Sequence, residues 1–284
     1  MNQRKIKELK KIANKIRKLI IQMVSRAGSG HPGGSLSSVE IITCLFFEVM
    51  RHNPKDPYWP DRDRFHLSKG HTCPALYAAL ALCGYFPKEK LWTLRKLGSI
   101  LQGHPDRRTP GVDVASGSLG QGLSVAVGMA LAARLDKKDY RVYCLMGDGE
   151  IQEGNIWEAA MSAAHFKLDN LCGIVDYNRF QIDGRVEEVM NLEPLVNKWE
   201  AFGWHVISCD GHNIEELLEA FDEAKSVKQK PTVIIAHTVK GKGVSFMEHV
   251  VDFHGRAPNE KETKIALEEL EKIEKLLEEK NEEF

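Results

Sequence analysis

Residues 141–160, R-V-Y-C-L-M-G-D-G-E-I-Q-E-G-N-I-W-E-A-A, and residues 171–180, L-C-G-I-V-D-Y-N-R-F, carry the reading of this chain. Each opens on a short apolar run, the pattern of a strand buried on both faces. The first run ends at Met146, Gly147-Asp148-Gly149 turns the chain, and residues 155–166 take up helical spacing. The second run, 171–175, is followed closely by Asn178. In a right-handed strand–helix–strand unit, Asp148 and Asn178 both fall at the carboxyl ends of neighbouring strands, where open α/β sheets bind ligands. A carboxylate and an amide oxygen there are hard donors suited to Mg2+ or Ca2+, and such an ion can bridge a diphosphate. The glycines expose backbone N–H groups, and the N-terminus of the following helix favours negative charge. A lone G-D-G reads as an acidic turn, and a lone Asn as an Asx cap. The pair at this spacing, each member after an apolar strand, points to a metal–diphosphate site.

Outward from that core, residues 204–209 and 232–236 are further strands, and 214–227 is an amphipathic helix between them. Residues 115–122 form a Gly-rich loop, and 124–135 a helix of small residues. Towards the N-terminus, residues 4–24 place Ile6, Leu9, Ile12, Ile16, Leu19, Ile20 and Met23 at helical spacing. A second Gly-rich loop covers 25–35, where backbone can approach a ligand closely. A helix resumes with Ser37 or Ser38 as N-cap and Ile41, Ile42, Leu45 and Phe46 as its core face. Residues 52–64 read as a surface loop and 75–82 as a buried helix closed by a turn at Gly84. From about 260 to Lys280 a charged amphipathic helix ends the chain. Strand–helix alternation predicts an α/β fold: a mostly parallel β-sheet covered by helices on both faces, in one domain spanning 1–284.

Composition removes several function classes. Of 284 residues, 28% are charged, yet the formal net charge is -1, so no bulk field draws nucleic acid or an anionic membrane. The cysteines at 44, 73, 83, 144, 172 and 209 form no C-x-x-C pair and sit largely in apolar runs, as buried free thiols do. The N-terminal residues lack the apolar core of a signal peptide, and no run of about 18 apolar residues exists. A cytoplasmic location is the expectation.

At G-D-G-E-I-Q-E-G…V-D-Y-N the chain resembles the thiamine diphosphate-binding motif of the thiamine enzymes. Its transketolase branch is picked out by S-G-H-P-G-G at 29–34, L-S-K-G-H at 67–71, L-Q-G-H-P at 101–105, T-P-G-V-D-V-A-S-G-S-L-G-Q-G at 109–122 and T-V-K-G-K-G-V at 238–244. The resemblance runs from about residue 10 to about 258. It implies Asp148, Asn178 and the backbone carbonyl of Phe180 as ligands of Mg2+, with Ca2+ or Mn2+ as alternatives. It implies Gly149, His71 and Lys240 against the diphosphate, and Gly117, Ser118 and Leu119 beside the cofactor's rings. His31, His71, His104 and His254 match histidines lining the family's substrate channel, His254 also bordering the cofactor. Glu153 matches a glutamate at the subunit interface, a role favoured over that of a helix-start residue stabilised by the dipole. His52, His66, His165, His205, His212, His237 and His249 are left structural or unassigned.

What the resemblance implies is transfer of a two-carbon ketol unit from a ketose phosphate to an aldose phosphate, as in the pentose phosphate pathway. Transketolases also have a pyrimidine-binding domain, with the glutamate that activates the cofactor, and a C-terminal domain. Neither has a counterpart before or after residue 258, so a partner subunit carrying both, in an α2β2 complex, is expected. Half of a deoxyxylulose-phosphate synthase-like enzyme is disfavoured by the L-S-K-G-H and L-Q-G-H-P blocks. A transketolase-like enzyme for an unusual sugar stays open. A non-catalytic scaffold is disfavoured by an undecayed Asp148, Asn178 and four histidines.

Overall fold

Five strands, not four, assemble into one parallel sheet. A computed structural model describes residues 3–279. The strands are β1 (Arg64–Leu67), β2 (Val142–Gly147), β3 (Leu171–Tyr177), the two-residue β4 (Phe180–Gln181) and β5 (Gly184–Arg185), β6 (His205–Asp210) and β7 (Thr232–His237). The main sheet runs β1-β2-β3-β7-β6, every neighbouring pair parallel, while β4 and β5 make a separate antiparallel hairpin. The α-helices are α1 (Gln3–Ala27), α2 (Pro32–Ser37), α3 (Val39–Cys44), α4 (Cys73–Cys83), α5 (Gly122–Leu135), α6 (Gly154–His165), α7 (Val186–Val189), α8 (Leu195–Ala201), α9 (Ile214–Ser226) and α10 (Glu260–Glu279).

Side chains alternate along the strands, and both faces are covered. Tyr143, Leu145, Cys172, Ile174 and Ile234 pack with residues of α1, α3, α4 and α9. Cys144, Met146, Leu171, Val175, Val233 and Ile235 pack with residues of α5, α6 and α8. Gly173 leaves room for the Trp204 indole, whose N–H donates to the Ala160 carbonyl at 2.9 Å. The six cysteines are free, and all but the half-buried Cys83 are buried. Among the described residues, no helix is long and apolar enough to cross a membrane.

Two features depart from the sequence reading. Strand β1 lies at the edge of the region read as a loop, because four residues beginning with Arg carry too little apolar pattern to announce a strand. The helix carrying Ile41 and Ile42 starts at Val39 with Ser38 in the N-cap position, as expected, but a short helix, Pro32–Ser37, precedes it within the stretch read as a loop. Neither hydroxyl caps a helix: both lie within hydrogen-bonding distance of the Gly34 carbonyl and of Asp176. The terminal helix docks on α1, with Lys18 paired to Glu271 (2.6 Å) and Glu274 (2.5 Å), and Asn14 Nδ2 donating to the Leu270 carbonyl at 2.8 Å. Its expected end at Lys280 lies outside the described residues.

Candidate active site

Beyond the carboxyl ends of β2 and β3 the structure opens a cavity of about 380 Å³. The turn after β2 delivers Asp148, which is 2% exposed. One carboxylate oxygen accepts the Gly149 N–H at 2.8 Å and the other accepts the Arg179 N–H. That second amide joins Asn178 to Arg179, so the two turns meet at Asp148. Asn178 Oδ1 accepts the Phe180 N–H at 3.1 Å, and the Phe180 carbonyl accepts from Lys240 Nζ at 3.3 Å. A carboxylate, an amide oxygen and a main-chain carbonyl are thus gathered by the strand ends, a donor set that suits a hard divalent cation. No cluster of three or more His, Cys, Asp or Glu side chains arranged for a metal occurs among the described residues. A cation here would therefore take amide and carbonyl oxygens, leaving coordination positions for a diphosphate. Burial, reinforced by the Asp176 carboxylate, lifts Asp148 to about 7, and a cation would favour its ionised form.

Behind these ligand candidates stands Asp176, fully buried. It accepts from Ser37 at 2.6 Å, Ser38 at 3.2 Å, the Asn178 amide nitrogen at 3.3 Å, Thr238 and Lys69. The Asn178 amide is thereby oriented, its nitrogen towards Asp176 and its oxygen away. Lys69 is 2% exposed and pairs with Asp176. Lys240 is also buried; burial and the neighbouring Lys69 charge bring it down to about 8.

Three of the four histidines converge. Ring centroids of His31 and His71 are 5.1 Å apart, those of His31 and His254 5.5 Å, and those of His71 and His254 5.3 Å. His254 Nδ1 accepts from Lys240 Nζ at 2.9 Å. Burial, then neighbouring cations, takes His31 down to about 4, His254 to about 3 and His71 well below its ordinary value. The rings are neutral at pH 7, so each offers one donor and one acceptor. His104, more exposed, lies across the same cavity against Gly117, where a Cβ would come within 3.3 Å of its ring. Arg95 donates to Ser29 Oγ at 2.7 Å and reaches His31 Nδ1 at 3.5 Å.

Gly117, Leu119, Gly149 and Glu153 line this cavity too. Ser118 does not; it faces an adjoining cavity of about 500 Å³ that shares His104 and Gly117. Glu150 ties the loop to the strand end, its carboxylate accepting from Ser68, the Gly120 N–H at 3.1 Å and the Gly147 N–H at 3.0 Å. Glu153 is exposed and packs so closely on Gly120 that a Cβ there would sit 2.6 Å from its own. Sequence reasoning missed Lys69, Asp176, Glu150 and Arg95. The first three stood inside quoted blocks, and the signal was available: a Lys or Glu in an otherwise apolar or small-residue block needs a buried partner.

Comparisons with known proteins identify the family. The family described as "Transketolase, thiamine diphosphate binding domain" matches residues 8–272. The 6-deoxy-6-sulfo-D-fructose transketolase subunit SqwG of Clostridium sp. (strain MSTE9) is 52% identical over 266 residues, covering 93% of this chain and 97% of that protein. An apulose-4-phosphate transketolase subunit of Phocaeicola vulgatus is 47% identical over 270 residues, covering 95% and 96%. The crystal structure of transketolase from Campylobacter jejuni superposes with a TM-score of 0.89 at 39% identity, covering 95% of this chain and 43% of that one. With strand ends, blocks and relatives in agreement, the chain belongs to the transketolase family, in its thiamine diphosphate binding domain.

Proposed function

We propose that the chain is one diphosphate-binding domain that holds thiamine diphosphate through a divalent cation, Mg2+ first, and serves as one subunit of a two-subunit transketolase. The observation that carries this reading is the meeting of Asp148, Asn178 and the Phe180 carbonyl beside Lys240 at the ends of β2 and β3. In this reading those three oxygens ligate the cation. Lys240 offsets diphosphate charge that the cation leaves over. His71 offers a ring N–H, and Gly149 admits the phosphates because it has no side chain. Gly117 and Leu119 flank the cofactor's rings, while Ser118, between them, faces the adjoining cavity. When bound, thiamine diphosphate supplies the nucleophilic carbon that carries a two-carbon unit. His31, His104 and His254, held neutral or largely so, orient the hydroxyls of a sugar phosphate. Glu153, on the rim, meets a partner subunit that brings the pyrimidine-binding and C-terminal domains. Two such pairs form α2β2 in the cytoplasm, through a large apolar α–α contact.

Two similar relatives are named for 6-deoxy-6-sulfo-D-fructose and apulose 4-phosphate, which favours an unusual sugar as a second reading of the substrate within the same chemistry. The test is a transketolase assay with thiamine diphosphate and Mg2+, on the purified chain alone and with a complementing subunit. Activity only in the mixture is expected; robust turnover by this chain alone overturns the two-subunit reading.

A further inference from the structure

His212, unassigned from sequence, follows β6 in a turn remote from the diphosphate motif. Its ring is nevertheless wired to the loop that carries Lys240. His212 Nε2 accepts the N–H of Val239, the residue before Lys240, at 2.8 Å. His212 Nδ1 therefore carries the proton and donates it to Glu40, on α3, at 2.9 Å. Glu40 also accepts two bonds from one terminal nitrogen of Arg17, on α1, at 2.6 and 2.8 Å. Arg17 uses its remaining Nε–H on the Lys242 carbonyl at 3.0 Å. The chain of contacts starts at residue 239 and closes at residue 242, with Lys240 bracketed between. Arg17 and Glu40 are buried, at 7% and 6% exposure. The turn itself permits little alternative: Gly241 has φ +84, and a Cβ there would fall 2.2 Å from the Met247 carbonyl.

We propose that His212, Glu40 and Arg17 form a positioning relay that fixes the 239–242 loop and so aims Lys240 at the diphosphate. The inference rests on the reading of Lys240 given above. Each member has one workable state. The Glu40 carboxylate accepts from both neighbours, and this obliges His212 to keep its proton on Nδ1. Only that tautomer leaves Nε2 free to accept from Val239. A glutamine at position 40 keeps one acceptor: with its oxygen where the shared Oε2 stands it still takes both neighbours, but its NH2 then faces Arg17 donor to donor where the other carboxylate oxygen accepted at 2.6 Å. If its NH2 turns to His212, the ring proton moves to Nε2 and meets the Val239 N–H donor to donor.

A double-mutant cycle reads this coupling. Thiamine diphosphate with Mg2+ is titrated by calorimetry into the full chain as parent, His212→Phe, Lys240→Met and the double variant. Phe preserves the ring and removes both bonds. His212→Phe should weaken binding about tenfold with Lys240 present and less than about twofold in the Lys240→Met background. His212→Gln, which retains a donor and an acceptor, should restore affinity to within about threefold of the parent. A merely structural His212 would weaken binding equally in both backgrounds, and that result, or no weakening beside Lys240, overturns the relay. If Lys240→Met binds with unchanged affinity, the reading of Lys240 fails instead. Nitrogen-15 NMR of the histidine rings then judges the relay without any cofactor. His212 protonated on Nδ1 in the parent supports it; an Nε2–H tautomer in the parent overturns it.

Discussion

Replacing Lys69 with Met isolates the ion pair beneath the site. Lys69 and Asp176 are 2% and 0% exposed and face each other directly. Met keeps most of the buried stem, so the packing loss is small and the electrostatic loss dominates. Burial alone would raise the Asp176 pKa, but the Lys69 charge and several hydrogen bonds outweigh it and hold the carboxyl below its ordinary range. Breaking one side of a buried pair costs about 3–5 kcal/mol. There is a ceiling: the variant can bury Asp176 protonated, and protonating a carboxyl of pKa near 4 at pH 7 costs about 4 kcal/mol. The expected loss is therefore about 3–4 kcal/mol at pH 7, read from urea unfolding of the cofactor-free chain at constant m. The sign with pH follows. Protonation becomes cheaper by about 1.4 kcal/mol per pH unit, so the loss should shrink by about 2–3 kcal/mol between pH 7 and pH 5. A loss below about 1 kcal/mol, or one that does not change with pH, refutes the argument that the pair is a dry, uncompensated charge once broken.

Glu40 sets a second pH dependence: burial opposes its ionisation, yet the Arg17 charge and the His212 bond take it down to about 2. A depressed carboxyl contributes stability above its unfolded pKa and loses it as pH falls, so on the order of 3 kcal/mol should vanish between about pH 4.5 and pH 2. Glu40→Gln should flatten that limb of the stability curve; an unchanged limb contradicts the assignment. Asp148→Ala should weaken thiamine diphosphate binding in the presence of Mg2+ by at least about a hundredfold, checked by calorimetry. Undiminished affinity sinks the metal assignment. His104→Ala should lower donor turnover roughly 10²–10⁴-fold in the complemented enzyme while leaving cofactor affinity within about threefold. Equal activity with a ketose phosphate donor removes His104 from the channel.

The sequence by itself determined the strands β2, β3 and β7, because each is packed on both faces and so reads as an apolar run; β6, on the other edge and only partly buried, was legible from residues 204–209. It also placed Asp148 and Asn178, since each needs only its own strand to reach the carboxyl edge of the sheet. Helix spacing was legible for the same local reason, down to the apolar stripe of α1. Strand order was not: β7 enters between β3 and β6 through pairing with residues far away along the chain. The edge strand β1 escaped because its identity comes from its neighbour β2 rather than from its own four residues. The Ser37 and Ser38 hydroxyls looked like helix caps, and only the folded chain shows Asp176, 139 and 138 positions away, taking them. Lys69 and Asp176 are separated by 107 positions, and His212 and Glu40 by 172. A buried charge is tolerable only beside its partner, and that partner is chosen by which elements pack together. No window of sequence contains that choice, so the ion pairs and the histidine tautomer behind the site were decided by tertiary structure alone.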